Sequence, residues 1–199
     1  DDREAQALVA LIHRIAPPEA AEKVLDLGCG RGRHAIALAK LGYDVEGLDL
    51  SDRALEIARE RASAQGLAIR FVKGDMRVPL QERFDMVTSL FTSFGYFESS
   101  SDDRLVLGSV AQMLKPGGRF VLDFLNPGHV ERSLVRSEEK QLRSARVRIT
   151  RGIEQDEPFP RVVKTMIFTG QVEAGGSSDP ARTTGRREFS ERVRLYPSD

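Results

Sequence analysis

Apolar residues recur along the chain with two different periods, and the switches between them outline the fold. Over residues 3–15, Ala5, Leu8, Leu11, Ile12 and Ile15 share one face of a helix, which Pro17-Pro18 ends. The short apolar run VLDL at 24–27 predicts a strand; three glycines crowd behind it. A helical pattern through Ile36, Leu38, Ala39 and Leu41 then runs up to Gly42, and residues 44–50 alternate as a strand. Ser51-Asp52 suits the cap of a helix carrying Leu55, Ile57, Ala58 and Ala62, closed by Gly66. Further strands are expected at 68–72, 84–90 and 119–124, with a helix over 103–114 and a turn at Lys115-Pro116-Gly117-Gly118. Strands alternating with helices call for a parallel sheet covered on both faces, and right-handed crossovers make it doubly wound.

Beyond Asn126-Pro127 the period changes. Residues 141–151, 161–173 and 186–196 alternate as strands, separated by Asp156-Glu157-Pro158 and by a Gly/Ser/Pro/Asp-rich stretch at 174–185 that is expected to be mobile. The pattern divides the chain into an α/β core over 1–126 and an antiparallel β cap or substrate subdomain over 127–199.

Composition narrows the function classes. The chain has 199 residues, 40% of them hydrophobic, enough for a sizeable core. Thirty basic and thirty acidic residues cancel, so the footprint of a general nucleic-acid binder is missing. With Cys29 as the one cysteine, no intramolecular disulfide forms; with no run of about 18 apolar residues, no membrane span is expected. The expectation is a soluble, cytoplasmic monomer or homodimer. His13, His34 and His129 show no metal-ligand spacing with Cys29, and no G-x-S-x-G is present, so neither a metal site nor a serine hydrolase is expected.

Four strand ends gather the candidate chemistry, where doubly wound sheets bind ligands. They carry Asp26 to Gly32, Asp49-Leu50, Asp75-Met76, and Leu90 to Tyr96. The dinucleotide fingerprint needs glycine at position 33, where Arg33 stands; the spacing is G-x-G-x-G at Gly28, Gly30 and Gly32. Asp26 beside that turn would repel a pyrophosphate by about 1–4 kcal/mol at roughly 4 Å but attract a cationic ligand end. Asp49 is placed to accept from a ribose diol, Asp75 from an adenine amine, and Leu50 and Met76 to flank the ring. An adenosine with a cationic tail is S-adenosylmethionine.

The stretches VLDLGCGRGRHAIALA, VEGLDLS, GDM, FDMVTSLFTSFGYF and LKPGGRFVLDF resemble, in order, the motifs of class I S-adenosylmethionine-dependent methyltransferases, small-molecule branch. The resemblance covers residues 1 to 126 well and the remainder loosely. It implies that Asp26 and the backbone at Gly28 and Gly30 hold the methionine ammonium, Asp49 the ribose, Leu50 and Met76 the adenine faces, Asp75 its amine, and that Leu90 offers backbone to the methionine portion. Thr92, Ser93 and Tyr96 become contacts for a small-molecule acceptor, and the cap closes one side of its pocket. It also implies a segment before the first helix and a final strand pair that these residues do not supply. No catalytic residue is singled out; Tyr96, Glu98 and His129 stand equally as bases.

Plainer roles stay open beside these. Asp49 also fits a helix cap, although Ser51 already fills that place, and Asp75 fits a turn. Cys29 reads as a space-filler, His34 as packing or surface, and Phe91 and Phe94 as core. Two other functions share the pattern: a non-catalytic S-adenosylmethionine-binding module, and an NAD(P)-dependent oxidoreductase, which needs a turn open to pyrophosphate.

Overall fold

The computed structural model describes residues 2–17, 22–142, 145–156, 158–171 and 184–196. Most of the 174–185 stretch therefore lies outside the described residues. The chain divides into two units, Asp1–Phe124 and Leu125–Asp199.

In the first unit, α1 (Asp2–Ile15), β1 (Lys23–Leu27), α2 (Arg33–Lys40), β2 (Asp44–Asp49), α3 (Asp52–Ser63), β3 (Arg70–Lys73), β4 (Phe84–Ser89), α4 (Ser100–Met113) and β5 (Leu114–Leu122) follow one another. The five strands form a parallel sheet in the order β3-β2-β1-β4-β5. The order reverses between β1 and β4, and the crevice at their carboxyl ends is where such sheets hold ligands. Val24, Leu25, Leu27, Met86 and Val87 on the two central strands are fully buried, as expected of strands covered on both faces. Each such side chain contributes about 1.5–3 kcal/mol by leaving water.

Two local expectations are corrected. α1 buries Ala5, Val9 and Ile12, and Ala16 just behind it is buried too, whereas Leu11 and Ile15 are exposed. Both stripes satisfy a helical period in the sequence and share Ala5 and Ile12; packing favoured the side of Val9 over that of Leu11 and Ile15. Lys115-Pro116-Gly117-Gly118 does not separate the last helix from the last strand but interrupts the strand itself. The β4–β5 register runs from Phe84 against Leu114 directly to Met86 against Arg119, so these four residues bulge out of the ladder. Pro116 has no N–H to contribute there.

The second unit contains α5 (Pro127–Ser133) and an antiparallel sheet of β6 (Ser137–Leu142), β7 (Ala145–Glu154), β8 (Arg161–Gln171) and β9 (Thr184–Arg194) in chain order. The strand expected at 141–151 is two strands. β6, SEEKQL, escaped the alternation test because it is an exposed edge with almost no apolar residues; ladder bonds and the Arg148–Glu139 and Arg151–Glu138 ion pairs hold it. α5 was also missed, though its signals are present: Pro127 opens the helix and the Asn126 side chain accepts from the His129 N–H at 2.9 Å. On β7 and β9, Val147, Ile149 and Val193 are buried.

Candidate functional site

Two adjoining hollows of about 350 and 430 Å³ open at the carboxyl ends of β1 to β4. Asp49, Leu50, Asp75, Met76, Arg77, Thr92, Tyr96 and Phe97 line the first; Cys29, Gly30, Arg31, Arg33, His34 and Leu90 line the second; Gly28, Phe91 and Ser93 belong to both. Ten of the eleven residues expected at the site thus face one cleft from four separate strand ends. Asp26 is the exception.

The turn after β1 explains the glycines. Gly28 has φ +78°, and a Cβ there would lie 2.8 Å from the Ser93 Cβ, so any side chain would collide with the cleft wall. Gly32 caps α2 in a left-handed conformation, where a Cβ would press on Ala58 and Phe71 at 3.0–3.1 Å. The turn's amides are spent internally. Gly28 and Cys29 N–H both donate to the Leu48 carbonyl (2.8 and 3.0 Å), Gly30 N–H to Asp49 Oδ2 (2.8 Å), and Gly32 N–H to the Cys29 carbonyl (2.9 Å).

Asp49 lines the first hollow. Its second oxygen accepts from the Ser51 N–H at 2.9 Å. Ser51, not Asp49, caps α3, its side chain accepting from Ala54 N–H. A carboxylate has about four lone-pair sites, so two bonds leave acceptor capacity toward the cleft.

Asp26 lies beneath the turn rather than beside it, 1% exposed and outside both linings. Thr88 Oγ1 reaches Asp26 Oδ1 at 3.3 Å, while Oδ2 is buried with no hydrogen-bond partner. Burial raises its pKa to about 7; the Thr88 bond opposes the rise and the charge of Asp49 adds to it. Burial also raises the Cys29 thiol well above its ordinary value, which agrees with a space-filling role.

At the far end, the Asp75 carboxylate is gripped by Arg77. It accepts from the backbone N–H at 2.9 Å, from Nε at 3.1 Å to each oxygen, and from Nη2 at 2.6 Å. These bonds hold Asp75 below the usual carboxylate range. Arg77 also donates to Asp102 in the first turn of α4 at 2.8 Å and stacks over Phe97 at 4.7 Å. Sequence reading missed Arg77 and Phe97. The visible signal was an arginine two residues after a strand-end acid, but its partner Asp102 is 25 positions away.

Phe91 is also corrected. Instead of packing in the core it is 48% exposed, lines both hollows and holds φ +57°, followed by Thr92 at φ +56°. Two consecutive left-handed non-glycine residues are strained, and Asp123 Oδ2 restrains the first by accepting its N–H at 2.9 Å. Phe94 is buried, as expected. Ser93 Oγ lies 3.2 Å from the Gly28 carbonyl and 3.0 Å from that of Leu90, tying the two loops together. Of the three candidate bases, Tyr96 lines the cleft; Glu98 is exposed and lines neither hollow; His129 belongs to the second unit.

Residues 24–118 match the family model described as a methyltransferase domain. A methyltransferase of Geobacillus sp. (strain WCH70) is 36% identical over 106 residues, 53% of this chain and 43% of that protein. The chain spans less than half the length of the curated relatives that it matches. The S-adenosylmethionine-dependent methyltransferase of Clostridium acetobutylicum shares the fold over 99% of this chain and 76% of its own, with a TM-score of 0.75 at 21% identity. An amino-pentose methyltransferase of calicheamicin biosynthesis from Micromonospora echinaspora, solved with S-adenosylmethionine bound, is 26% identical. The match covers 98% of this chain and 77% of that one, with a TM-score of 0.67. Both structural likenesses run nearly the length of the chain, so they take in the residues of the parallel sheet and of the antiparallel sheet alike. Among the described residues, no helix is long and apolar enough to cross a membrane.

Proposed function

We propose that the α/β core is a methyltransferase domain that binds S-adenosylmethionine and transfers its methyl group to a small-molecule acceptor by in-line displacement. The observation that carries the proposal is where the glycine turn's amides point. A dinucleotide-binding turn must offer free N–H groups to pyrophosphate. Here the N–H groups of Gly28, Cys29, Gly30 and Gly32 all serve the protein's own acceptors, one of them the carboxylate of Asp49. An oxidoreductase built on this turn would lack its phosphate cradle.

The remaining groups fit the methyl donor in order along the cleft. Leu50 and Met76 supply apolar walls, and Asp75 faces the adenine amine, which would share its oxygens with the bonds from Arg77. Asp49 takes the ribose diol. The tail passes Gly28, whose backbone packs closely against Ser93, toward the Leu90 carbonyl. Asp26 beneath the turn, where ionised above its raised pKa of about 7, adds a favourable field for a cationic tail.

The sulfonium supplies a methyl group attached to a good, neutral leaving group. The protein's part is to align an acceptor atom within about 3–3.5 Å of that methyl and to keep water away. Thr92, Ser93 and Tyr96 are our candidates to hold the acceptor; their place in the cleft lining supports that reading. The likeness to the amino-pentose methyltransferase supports a small molecule as that acceptor.

Isothermal titration tests the proposal. Saturable binding of S-adenosylmethionine and S-adenosylhomocysteine is expected, and none of reduced nicotinamide dinucleotide. The reverse pattern refutes it. Tight binding without methyl transfer over a broad acceptor panel would instead favour the non-catalytic module.

A further inference from the structure

Arg77 holds two acids at once, one just after β3 and one in α4. Its Nε and Nη2 grip Asp75, the carboxylate proposed to meet the adenine amine. Its Nη1 donates to Asp102 in the first turn of α4 at 2.8 Å. The same guanidinium lies 4.7 Å from the centroid of the Phe97 ring. Arg77 thus joins the nucleoside end of the first hollow to the far end of the loop over residues 90–99. That loop carries the acceptor candidates Thr92, Ser93 and Tyr96.

The loop does not hold its shape by local preference. Phe91 and Thr92 carry left-handed backbone, which non-glycine residues keep only where the surroundings impose it. At the near end, Asp123 accepts the Phe91 N–H, and Ser93 Oγ bonds to the Gly28 and Leu90 carbonyls. At the far end stands Arg77, through Phe97 and through Asp102, three residues past the Ser99 cap of α4. A guanidinium is a rigid planar fork, so its bonds to the two carboxylates are not independent. Asp75 has about four lone-pair sites, and Arg77 occupies both oxygens: its backbone N–H and Nε on Oδ1, Nε and Nη2 on Oδ2. An adenine amine that donates to Asp75 displaces part of that grip. The released share of the guanidinium turns to Asp102 and the face of Phe97.

We propose that Arg77 is a positioning residue that couples adenine recognition to the acceptor loop: a bound adenine amine tightens residues 91–102. The inference rests on the cofactor reading above and goes beyond it, because it makes the base of the methyl donor a condition for an ordered acceptor site. A ligand shifts a conformational equilibrium only by its differential affinity for the two states. Here the differential contact is the amine, so removing the amine from the ligand removes the effect.

Hydrogen exchange read by mass spectrometry on the full chain tests the coupling. The probes are S-adenosylhomocysteine and S-inosylhomocysteine, which carries an oxygen in place of the exocyclic amine, each at a concentration that saturates the protein. Both are expected to slow exchange at the glycine turn, residues 28–32, which reports occupancy. S-adenosylhomocysteine should slow residues 91–102 about tenfold more than its deaminated analogue does. In Arg77→Met, which keeps an apolar stem but no donor, that difference should fall to within about twofold while the turn stays protected. Asp102→Ala removes the acceptor on the α4 side and leaves Asp75 and Arg77 in place, so it gives the same readout if the Arg77 variant does not fold. Equal slowing of the loop by both ligands in wild type overturns the coupling and leaves the cofactor reading standing. A difference that survives both substitutions overturns it too, since the signal then runs by another route. No slowing at the turn with either ligand refutes the cofactor reading, and the coupling with it.

Discussion

Replacing Asp26 by asparagine should make the protein more stable, and increasingly so as pH rises. The carboxyl is 1% exposed and its pKa is raised from 3.8 to about 7 by burial. In the unfolded chain it ionises near its ordinary value. Between about pH 4 and 7 the folded state therefore holds a proton that the unfolded state has lost, and stability falls as pH rises through that window. A rise of about three pKa units corresponds to about 4 kcal/mol at pH 8, of which of order 3 kcal/mol accrues between pH 5 and pH 8. Urea unfolding of wild type and Asp26→Asn at pH 5, 6, 7 and 8 measures this directly. Carboxylates that the two proteins share, such as Asp75 with its lowered pKa and Glu46 with its raised one, cancel in the difference. An uncompensated amide in the buried site shifts the whole difference by a constant and leaves its slope. A stability difference independent of pH would refute the perturbed carboxyl. So would one that shrinks toward pH 8, since that requires an ionised, well-paired Asp26.

Three other outcomes follow from the cleft. Asp49→Ala should weaken S-adenosylhomocysteine by about 1.5–3 kcal/mol in titration calorimetry if its carboxylate holds the ribose; unchanged affinity rejects that role. Arg77→Lys should lose the fork that aims Asp75 and reduce discrimination between S-adenosyl- and S-inosylhomocysteine, which differ at the exocyclic amine, by about five- to tenfold; undiminished discrimination would detach Arg77 from adenine recognition. Gly28→Ala forces a Cβ to 2.8 Å from the Ser93 Cβ at φ +78° and should cost at least about 1–2 kcal/mol in urea unfolding, whereas wild-type stability would show that the turn relaxes freely.

What the sequence could determine here was whatever is written in short-range period and spacing. Alternating strands and helices along residues 24–122, glycines at 28, 30 and 32, and an acid at each of three strand ends are local patterns. In a parallel α/β sheet they have essentially one handed solution, which brings those strand ends to one crevice. Tertiary structure decided the rest. Which of two equally periodic stripes α1 buries depends on the surface it meets, and β6, with no apolar rhythm, exists through ladder bonds to β7. The Arg77–Asp102 tie, the stacking of Arg33 on Phe91 and the sinking of Asp26 below the turn join or isolate side chains far apart in the chain. Their energies depend on burial and on charges met only across space, quantities that no window along the chain contains.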